Sequence, residues 1–233
     1  MLSRTSLAMI LGACLLSLAP SAISAQHERF NEPGTFDFYV LSLSWSPSFC
    51  EAEGGRNRQP QCANRPYSFT VHGLWPQYER GFPRSCQVPP PRLPRSLMES
   101  MLDLMPAPQL IYHEWDQHGT CSGLSPREYF DTIRRARAKI KIPPEFADLR
   151  SALRLNPEQV RQAFIRANPG LTPESIAVFC DNRLREVRIC MTKNLDFHPC
   201  PELASRSCPR DEITIPPVRR GDGSRKPDRH SDG

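Results

Sequence analysis

Two short segments of the 233-residue chain concentrate side chains that can transfer protons. The first, residues 69–76, carries one histidine, and the second, residues 113–121, carries two histidines and a glutamate. Imidazole titrates close to neutral pH, so two histidines can hold opposite protonation states and act together as general acid and general base. The candidate proton-transferring residues are His72, His113, Glu114 and His118.

The second segment groups its polar side chains if it is helical. At about 100° per residue, His113, Gln117, Glu114 and His118 lie at about 0°, 40°, 100° and 140° around the helix axis. The tryptophan and the aspartate of the segment fall outside this sector. One face of a short helix would therefore direct two imidazoles, a carboxylate and an amide into the same cleft.

A zinc site is the alternative chemistry for the second segment. Zinc-binding helices of metalloproteases place two histidines at positions i and i+4, whereas His113 and His118 are five residues apart. The sequence also contains no Cys-x-x-Cys pair of the kind that zinc ribbons use. We therefore expect no metal and no other cofactor.

Two strands are expected to position the first segment. Residues 36–45 begin with alternating polarity and become apolar, a pattern typical of a central strand. Residues 67–72 form a second predicted strand, in which the period of two places His72 on the face opposite the apolar side chains. Gly73 would then permit a sharp departure of the backbone.

Helix-start signals and alternating patterns predict the other elements. Ser125–Glu128 predicts a helix that continues to about Lys139, and Asn156–Gln159 predicts one that ends near Asn168. Residues 81–94 are rich in proline and arginine, which suits a surface excursion. Shorter helices are predicted over 96–105 and 112–118, and strands over 175–180 and 184–191, the last with Glu186, Arg188 and Cys190 on its charged face.

The two ends of the chain differ in composition from its middle. Residues 1–25 carry one basic residue, an apolar run and then small residues, a pattern typical of a secretory signal peptide. The apolar run is too short for a membrane span. A competing interpretation is lipid attachment at Cys14. Residues 216–233 are basic and rich in Gly, Ser and Pro, which predicts a disordered tail. A single domain is expected over residues 26–215.

The cysteine content indicates the cellular compartment of the protein, and the net charge indicates the class of its partners. The chain has nine cysteines, of which eight remain once Cys14 is removed with the signal peptide. An even number of cysteines in an exported chain favours disulfides, so we expect a secreted or periplasmic protein. The net charge of +5 favours a polyanionic partner without identifying one.

The two segments resemble the two active-site motifs of the ribonuclease T2 family. The motifs are His-Gly-Leu-Trp-Pro at residues 72–76 and His-Glu-Trp-x-x-His-Gly-Thr-Cys at residues 113–121. The similarity extends from the first strand to the last cysteines and leaves out the signal peptide and the tail. It implies an α+β fold with a central antiparallel β-sheet flanked by helices and stabilised by disulfides.

The resemblance also implies an activity and a set of roles. The activity is endonucleolytic cleavage of single-stranded RNA through 2′,3′-cyclic phosphates. His118 would be the base that takes the 2′-OH proton, and His72 the acid that protonates the leaving 5′ oxygen. His113 would hold the phosphate, and Glu114 would support the transition state. RNA brings its own nucleophile in the 2′-OH, so DNA is expected to be inert and no metal is demanded.

Three further residues are candidates for substrate binding. Relatives usually carry lysine where this chain has Gln117, which predicts a slower enzyme or a replacement arginine or lysine. Trp75 can stack on any base. Gln77 stands where some relatives have an acid that selects adenine, so weak base preference is expected.

The remaining expectations concern an alternative function, the oligomeric state, the other histidines and tryptophans, and the disulfide pairing. A binding protein that keeps the scaffold with little or no turnover is the alternative to an enzyme. We expect a monomer, with Trp45 and Trp115 in the core and with His27, His198 and His230 outside the catalytic group. By resemblance, the disulfides are Cys50–Cys62, Cys86–Cys121, Cys180–Cys208 and Cys190–Cys200, although eight cysteines allow 105 connectivities.

Overall fold

The structure is a computed structural model that describes residues 31–52, 60–63 and 66–218. Its strands are β1 Phe38–Trp45, β2 Phe69–Gln77, β3 Leu153–Leu155, β4 Ile176–Cys180, β5 Leu184–Met191 and β6 Ile213–Ile215. Its α-helices in the described ranges are α1 Ser46–Ala52, α2 Pro60–Ala63, α3 Arg95–Ser100, α4 Pro108–Gln117, α5 Pro126–Lys139, α6 Pro144–Ala147, α7 Pro157–Ala167 and α8 Pro201–Ala204.

An antiparallel sheet of four strands forms the centre of the fold. Its spatial order is β2-β1-β5-β4, and β3 pairs with β6 in a separate two-stranded sheet. Side chains alternate between the two faces of a strand. On β1, Leu41, Leu43 and Trp45 are fully buried in the main hydrophobic core. The expected α+β fold and the burial of Trp45 and Trp115 are confirmed.

The opposite face of the sheet carries the polar residues of the strands. Ser42 and Ser44 of β1 lie beside Arg188 and Glu186 of β5 in the strand register. This division agrees with the predicted charged face of β5. The main core therefore packs on one side of the sheet and leaves the other side for a site.

Strand β2 departs from its prediction because it continues through Gly73 to Gln77. Ser42 pairs with Gly73, whereas the next residue, Leu43, pairs with Val71. His72 is therefore the extra residue of a β-bulge, a feature that redirects a side chain without ending the strand. The predicted sharp departure of the backbone at Gly73 is wrong.

Both helix-start predictions are confirmed at the atomic level. The Ser125 hydroxyl accepts a hydrogen bond from the Glu128 amide, and the Glu128 carboxylate accepts one from the Ser125 amide, so α5 begins with a capping box. Helix α7 begins with the same arrangement between Asn156 and Gln159. It ends before Gly170, whose positive φ of 90° suits a residue without a side chain.

Other boundaries differ from the sequence-based expectations. Helix α3 ends at Ser100 and gives way to turns, whereas α4 begins earlier than predicted, at Pro108. The folded part continues beyond residue 215, because the Val218 amide donates to the Leu149 carbonyl and the Pro216 carbonyl accepts from the Trp45 indole. The predicted signal peptide, Cys14, His27, His230 and residues 219–233 lie outside the described residues.

The four disulfides of the structure join the same cysteines as the pairing that the resemblance implies. They are Cys50–Cys62, Cys86–Cys121, Cys180–Cys208 and Cys190–Cys200. Cys86–Cys121 ties the proline-rich segment, residues 81–94, to the chain just after α4. Among the described helices, none is long and apolar enough to cross a membrane.

Candidate active site

His72 is held in place by a carboxylate of β5, the strand on the far side of β1 from β2. The bulge in β2 directs its imidazole across the polar face of the sheet, where the Nδ1–H donates to Glu186 Oε1 at 2.6 Å. The hydroxyl of Ser42 and Nε of Arg188 donate to the other oxygen of Glu186 at 3.1 and 2.8 Å. The carboxylate thereby fixes the orientation of the ring and leaves Nε2 available for chemistry.

The same contacts decide the charges of this pair. Burial lowers the pKa of His72, but the hydrogen bond and the negative charge of Glu186 outweigh it, so the pKa is raised overall. Burial raises the pKa of Glu186, but His72 and Arg188 outweigh it and lower the pKa to about 2. At neutral pH, Glu186 is therefore ionised, and His72 is protonated to a greater extent than an ordinary histidine.

Glu114 enters the site from α4 and is almost completely enclosed. Its side chain is 1% exposed. The Trp75 indole N–H donates to Oε2 at 2.6 Å, and His72 Nε2 lies 3.6 Å from Oε1. Burial raises the pKa of this carboxyl to about 7, although the nearby charge of His72 and the Trp75 hydrogen bond act in the opposite direction.

Gly73 leaves the space in which the Glu114 carboxyl contacts Trp75. A Cβ atom at this position would overlap the Glu114 carboxyl group, with Cδ only 2.8 Å away, and would also overlap Trp75 Nε1. Gly73 does not have a positive φ, so its role here is to leave space. The His-Gly-x-Trp sequence of β2 therefore supplies an imidazole, a gap and an indole donor to one site.

His118 caps the C-terminal end of α4. Its amide donates to the Glu114 carbonyl at 3.0 Å, and its ring lies 5.5 Å from the Trp75 ring, centroid to centroid. Burial is the main reason that its pKa is lowered to about 3, and the charges of His113, Arg84 and His72 add to the effect. The buried Nδ1 has no hydrogen-bond partner among the described residues.

Trp75 brings the two imidazoles together. The His72 ring meets the indole edge-on at 5.2 Å, and the His118 ring lies on it at a tilt of 39°. The pKa shifts of the two histidines have opposite signs, so at mildly acidic pH one is a proton donor and the other a proton acceptor. This is the combination that general acid–base catalysis requires.

The remaining predicted residues lie around this centre. His113 is exposed and lines a cavity of about 870 Å³ together with His72 and Glu186. Gln77 lines a second cavity of about 670 Å³. His198 packs against the Phe38 ring at 4.9 Å, and its Nε2 lies 3.6 Å from Glu79 Oε1.

Gln117 contacts an arginine, although the sequence did not indicate which arginine or lysine would lie beside it. Its side-chain carbonyl accepts a hydrogen bond from Arg84 Nη2 at 3.2 Å, and its backbone carbonyl accepts from the Ser85 amide at 3.0 Å. Sequence reasoning also missed the role of Glu186. The alternation of β5 placed Glu186 and Arg188 on the charged face, but the register with β1 and the bulge in β2 decide that this face meets His72.

Among the described residues, no group of three or more His, Cys, Asp or Glu side chains is arranged to hold a metal ion. His113 is exposed, whereas His118 is half-buried at the end of the helix. Their separation differs from that of the paired histidines of a zinc-binding helix.

Comparison with known proteins gives a consistent result. The model of the ribonuclease T2 family matches residues 36–200. A ribonuclease from Aeromonas hydrophila is 38% identical over 135 residues, which cover 58% of this chain and 59% of the relative. A probable ribonuclease from Haemophilus influenzae is 29% identical over 183 residues, which cover 72% and 65%. Ribonuclease I of Escherichia coli is 32% identical over 171 residues, which cover 54% and 62%. The chain thus spans 59% to 65% of the length of these relatives.

Solved structures show the same fold. An RNase-related protein from Calystegia sepium superposes with a TM-score of 0.65 at 21% identity, covering 79% of this chain and 98% of the other. RNase NT in complex with 5′-AMP superposes with a TM-score of 0.57 at 24% identity, covering 78% and 98%.

Proposed function

This chain belongs to the ribonuclease T2 family, and on that premise we propose that it is an endoribonuclease that cleaves single-stranded RNA through 2′,3′-cyclic phosphates. The observation that carries the proposal is the convergence of His72 and His118, from separate elements, on the ring of Trp75. Their opposite pKa shifts support one acid and one base. The alternative of a binding protein without turnover is not favoured.

His118 acts as the base of the first step. Its lowered pKa keeps the imidazole neutral, so it accepts the proton of the ribose 2′-OH. The 2′ oxygen then attacks the adjacent phosphorus and forms the cyclic phosphate. Because the nucleophile belongs to ribose, DNA is not cleaved.

His72 acts as the acid of the first step. Its Nδ1 donates to Glu186, so Nε2 carries the proton that passes to the departing 5′ oxygen. Hydrolysis of the cyclic phosphate reverses the two roles, with water taking the place of the 5′ oxygen. Positioned proton transfer of this kind contributes about 10² to 10⁴ in rate.

Glu114 and His113 act on the phosphate. Below pH 7, Glu114 is largely protonated because its pKa is about 7, so it donates a hydrogen bond to a phosphorane oxygen instead of repelling it. His113 faces the cavity beside His72 and holds the phosphate from the exposed side. Trp75 and Gln77 contact the base, and stacking on an aromatic ring gives weak base preference.

The protein is exported and acts as a monomer in this proposal. Four disulfides are typical of chains that mature in an oxidising compartment, outside the cell or in the periplasm. The predicted signal peptide, residues 1–25, supplies the route. A single chain also provides all the side chains of the site.

The proposal is tested by incubating the protein with RNA in the presence of EDTA and identifying the product ends. We expect 2′,3′-cyclic phosphate ends from RNA, no cleavage of DNA of the same sequence, and at least a 100-fold loss in His72→Ala and His118→Ala. His198→Ala is the matched control and keeps full activity. RNA that is bound but left intact would contradict the proposal, and so would cleavage of the DNA.

A further inference from the structure

The proposed site is short of positive charge. A phosphorane carries more negative charge than the phosphodiester from which it forms, and cations beside it stabilise it. His72 and Arg188 both contact the same carboxylate, that of Glu186. Glu114 adds a second acidic group at the centre of the site. With Glu114 protonated, these groups leave one net positive charge for the phosphorane, and both cations are already bound to Glu186.

Arg84 is a cation close to His118, outside the group of charges on the sheet. Its guanidinium donates to the side chain of Gln117, the residue that precedes His118. Two anchors fix the backbone around it, since the Ser85 amide donates to the Gln117 carbonyl and the Arg84 amide donates to Asn31 Oδ1 at 3.1 Å. The Cys86–Cys121 disulfide holds the same segment covalently to the end of α4.

The charge of Arg84 is not neutralised within the described part of the chain. No carboxylate of those residues lies within ion-pair distance of its guanidinium, whereas Arg188 contacts Glu186 through both Nε and Nη2. The Arg84 side chain is exposed, and the amide of Gln117 occupies one donor of its guanidinium. Its positive charge also acts on the imidazole of His118 and disfavours protonation there.

We propose that Arg84 is a further catalytic residue of the ribonuclease reaction, which binds a non-bridging oxygen of the phosphorane while Gln117 positions it. The inference rests on the proposed function, because it requires that the site cleaves RNA. Gln117 supplies a carbonyl acceptor that holds the guanidinium without neutralising it. A carboxylate at this position would hold Arg84 equally well but would remove the charge that the phosphate needs.

The inference is tested by kinetics of Arg84→Ala, with Arg92→Ala as the matched control. Arg92 is an exposed arginine of the same proline-rich segment, so its loss changes the net charge equally. We expect Arg84→Ala to lower kcat for RNA by about 10- to 100-fold, less than the loss of a fully enclosed donor. Arg92→Ala is expected to leave kcat unchanged. Unaltered thermal melting of both variants would show that the fold is intact.

Two further readouts separate catalysis from simple attraction of RNA. Removal of the Arg84 charge raises the pKa of His118, so the acid limb of the kcat/KM profile moves to higher pH in Arg84→Ala. A lysine introduced next to His118, in Arg84→Ala/Gln117→Lys, restores part of the lost kcat because it returns a cation to the same place.

The outcomes distinguish this inference from the proposed function. If Arg84→Ala raises KM and leaves kcat and the acid limb unchanged, Arg84 only attracts the RNA backbone and the inference is wrong. If wild-type protein leaves RNA intact, the proposed function fails and the inference fails with it. Wild-type cleavage together with wild-type kcat in Arg84→Ala would overturn the inference alone.

Discussion

Single side chains near His72 and His118 set the protonation states on which the proposed mechanism depends. Glu186 contacts His72 directly and raises its pKa, whereas burial and neighbouring cations lower that of His118. Burial raises the pKa of Glu114, because its carboxyl is enclosed beside an indole and an imidazole, and the group takes up a proton near pH 7. Activity therefore depends on groups that titrate in different directions.

The first prediction concerns the pH dependence of cleavage. The proposed mechanism requires neutral His118, protonated His72 and protonated Glu114. The acid limb of the kcat/KM profile, which reports protonation of His118, therefore lies below the ordinary histidine pKa of about 6.5. The alkaline limb begins near pH 7, where Glu114 ionises. We expect maximal kcat/KM on the acidic side of neutrality. A plateau that extends beyond pH 8 in wild-type protein would contradict these roles.

The second prediction concerns the stability of Glu114→Gln. The folded-state pKa of Glu114, about 7, exceeds its ordinary value of 4.5, so its contribution to stability is complete below pH 4.5 and is lost as the pH rises through 7. Gln does not titrate. We expect the variant to gain on the order of 1 to 3 kcal/mol in the free energy of unfolding at pH 8, and no gain at pH 4, by urea denaturation. An equal gain at both pH values would refute ionisation as the cause.

At the scale of residues, the sequence predicted the acidic and basic groups but not all of their partners. His72, Glu114 and His118 stand in short motifs, so their types and spacing indicated the chemistry. Glu186 lies more than a hundred residues after His72, and only the pairing of β5 with β1 brings it close. Such a contact depends on strand order, which residue spacing does not reveal.

At the scale of elements, strand β2 and helix α4 together form the site. The bulge in β2 directs His72 towards Glu186, and α4 places Glu114 against the gap left by Gly73. His118 lies at the end of α4, where the chain leaves the helix with φ of −124°. The sequence predicted both elements, but it did not predict the bulge, because a bulge depends on the register with the neighbouring strand.

The third prediction is that Gly73→Ala lowers activity through displacement of Glu114. A methyl group at this position would occupy the space of the carboxyl and the indole nitrogen. We expect at least a 10-fold loss of kcat and a loss of about 1 to 3 kcal/mol in the free energy of unfolding. The comparison is Gly170→Ala, which forces a side chain into a positive φ shortly after α7, where Phe197 is its contact. It should lose stability but keep kcat, and an equal loss of kcat in both variants would contradict the proposed role of Gly73.

At the scale of the whole molecule, the sheet separates the main hydrophobic core from the candidate active site. Apolar side chains fill one face, and the other face carries the residues that hold His72. The α+β class and the two-faced strands could be predicted from alternation and from the family resemblance. The short elements α6, β3 and β6 could not be predicted, because three or four residues are too few to show a hydrophobic period.

The fourth prediction concerns the disulfides, which act on different parts of the molecule. Cys86–Cys121 holds Arg84 and the end of α4 together, whereas Cys180–Cys208 joins the end of β4 to a distant loop. We expect loss of either bond to cost about 2 to 4 kcal/mol of stability. Replacement of Cys86 and Cys121 by serine should also lower kcat, measured well below the melting temperature. A similar loss of kcat without Cys180–Cys208 would show that the effect is not local.

The most direct test of the central claim varies the leaving group. A nucleoside 3′-(4-nitrophenyl phosphate) expels a weakly basic phenolate that needs no proton, whereas RNA expels a strongly basic 5′ oxygen that does. We expect His72→Ala to lose about 10² to 10⁴ in kcat on RNA and to keep near wild-type turnover of the nitrophenyl ester, while His118→Ala loses both activities. Equal losses on the two substrates in His72→Ala would contradict the assignment of His72 as the acid and His118 as the base.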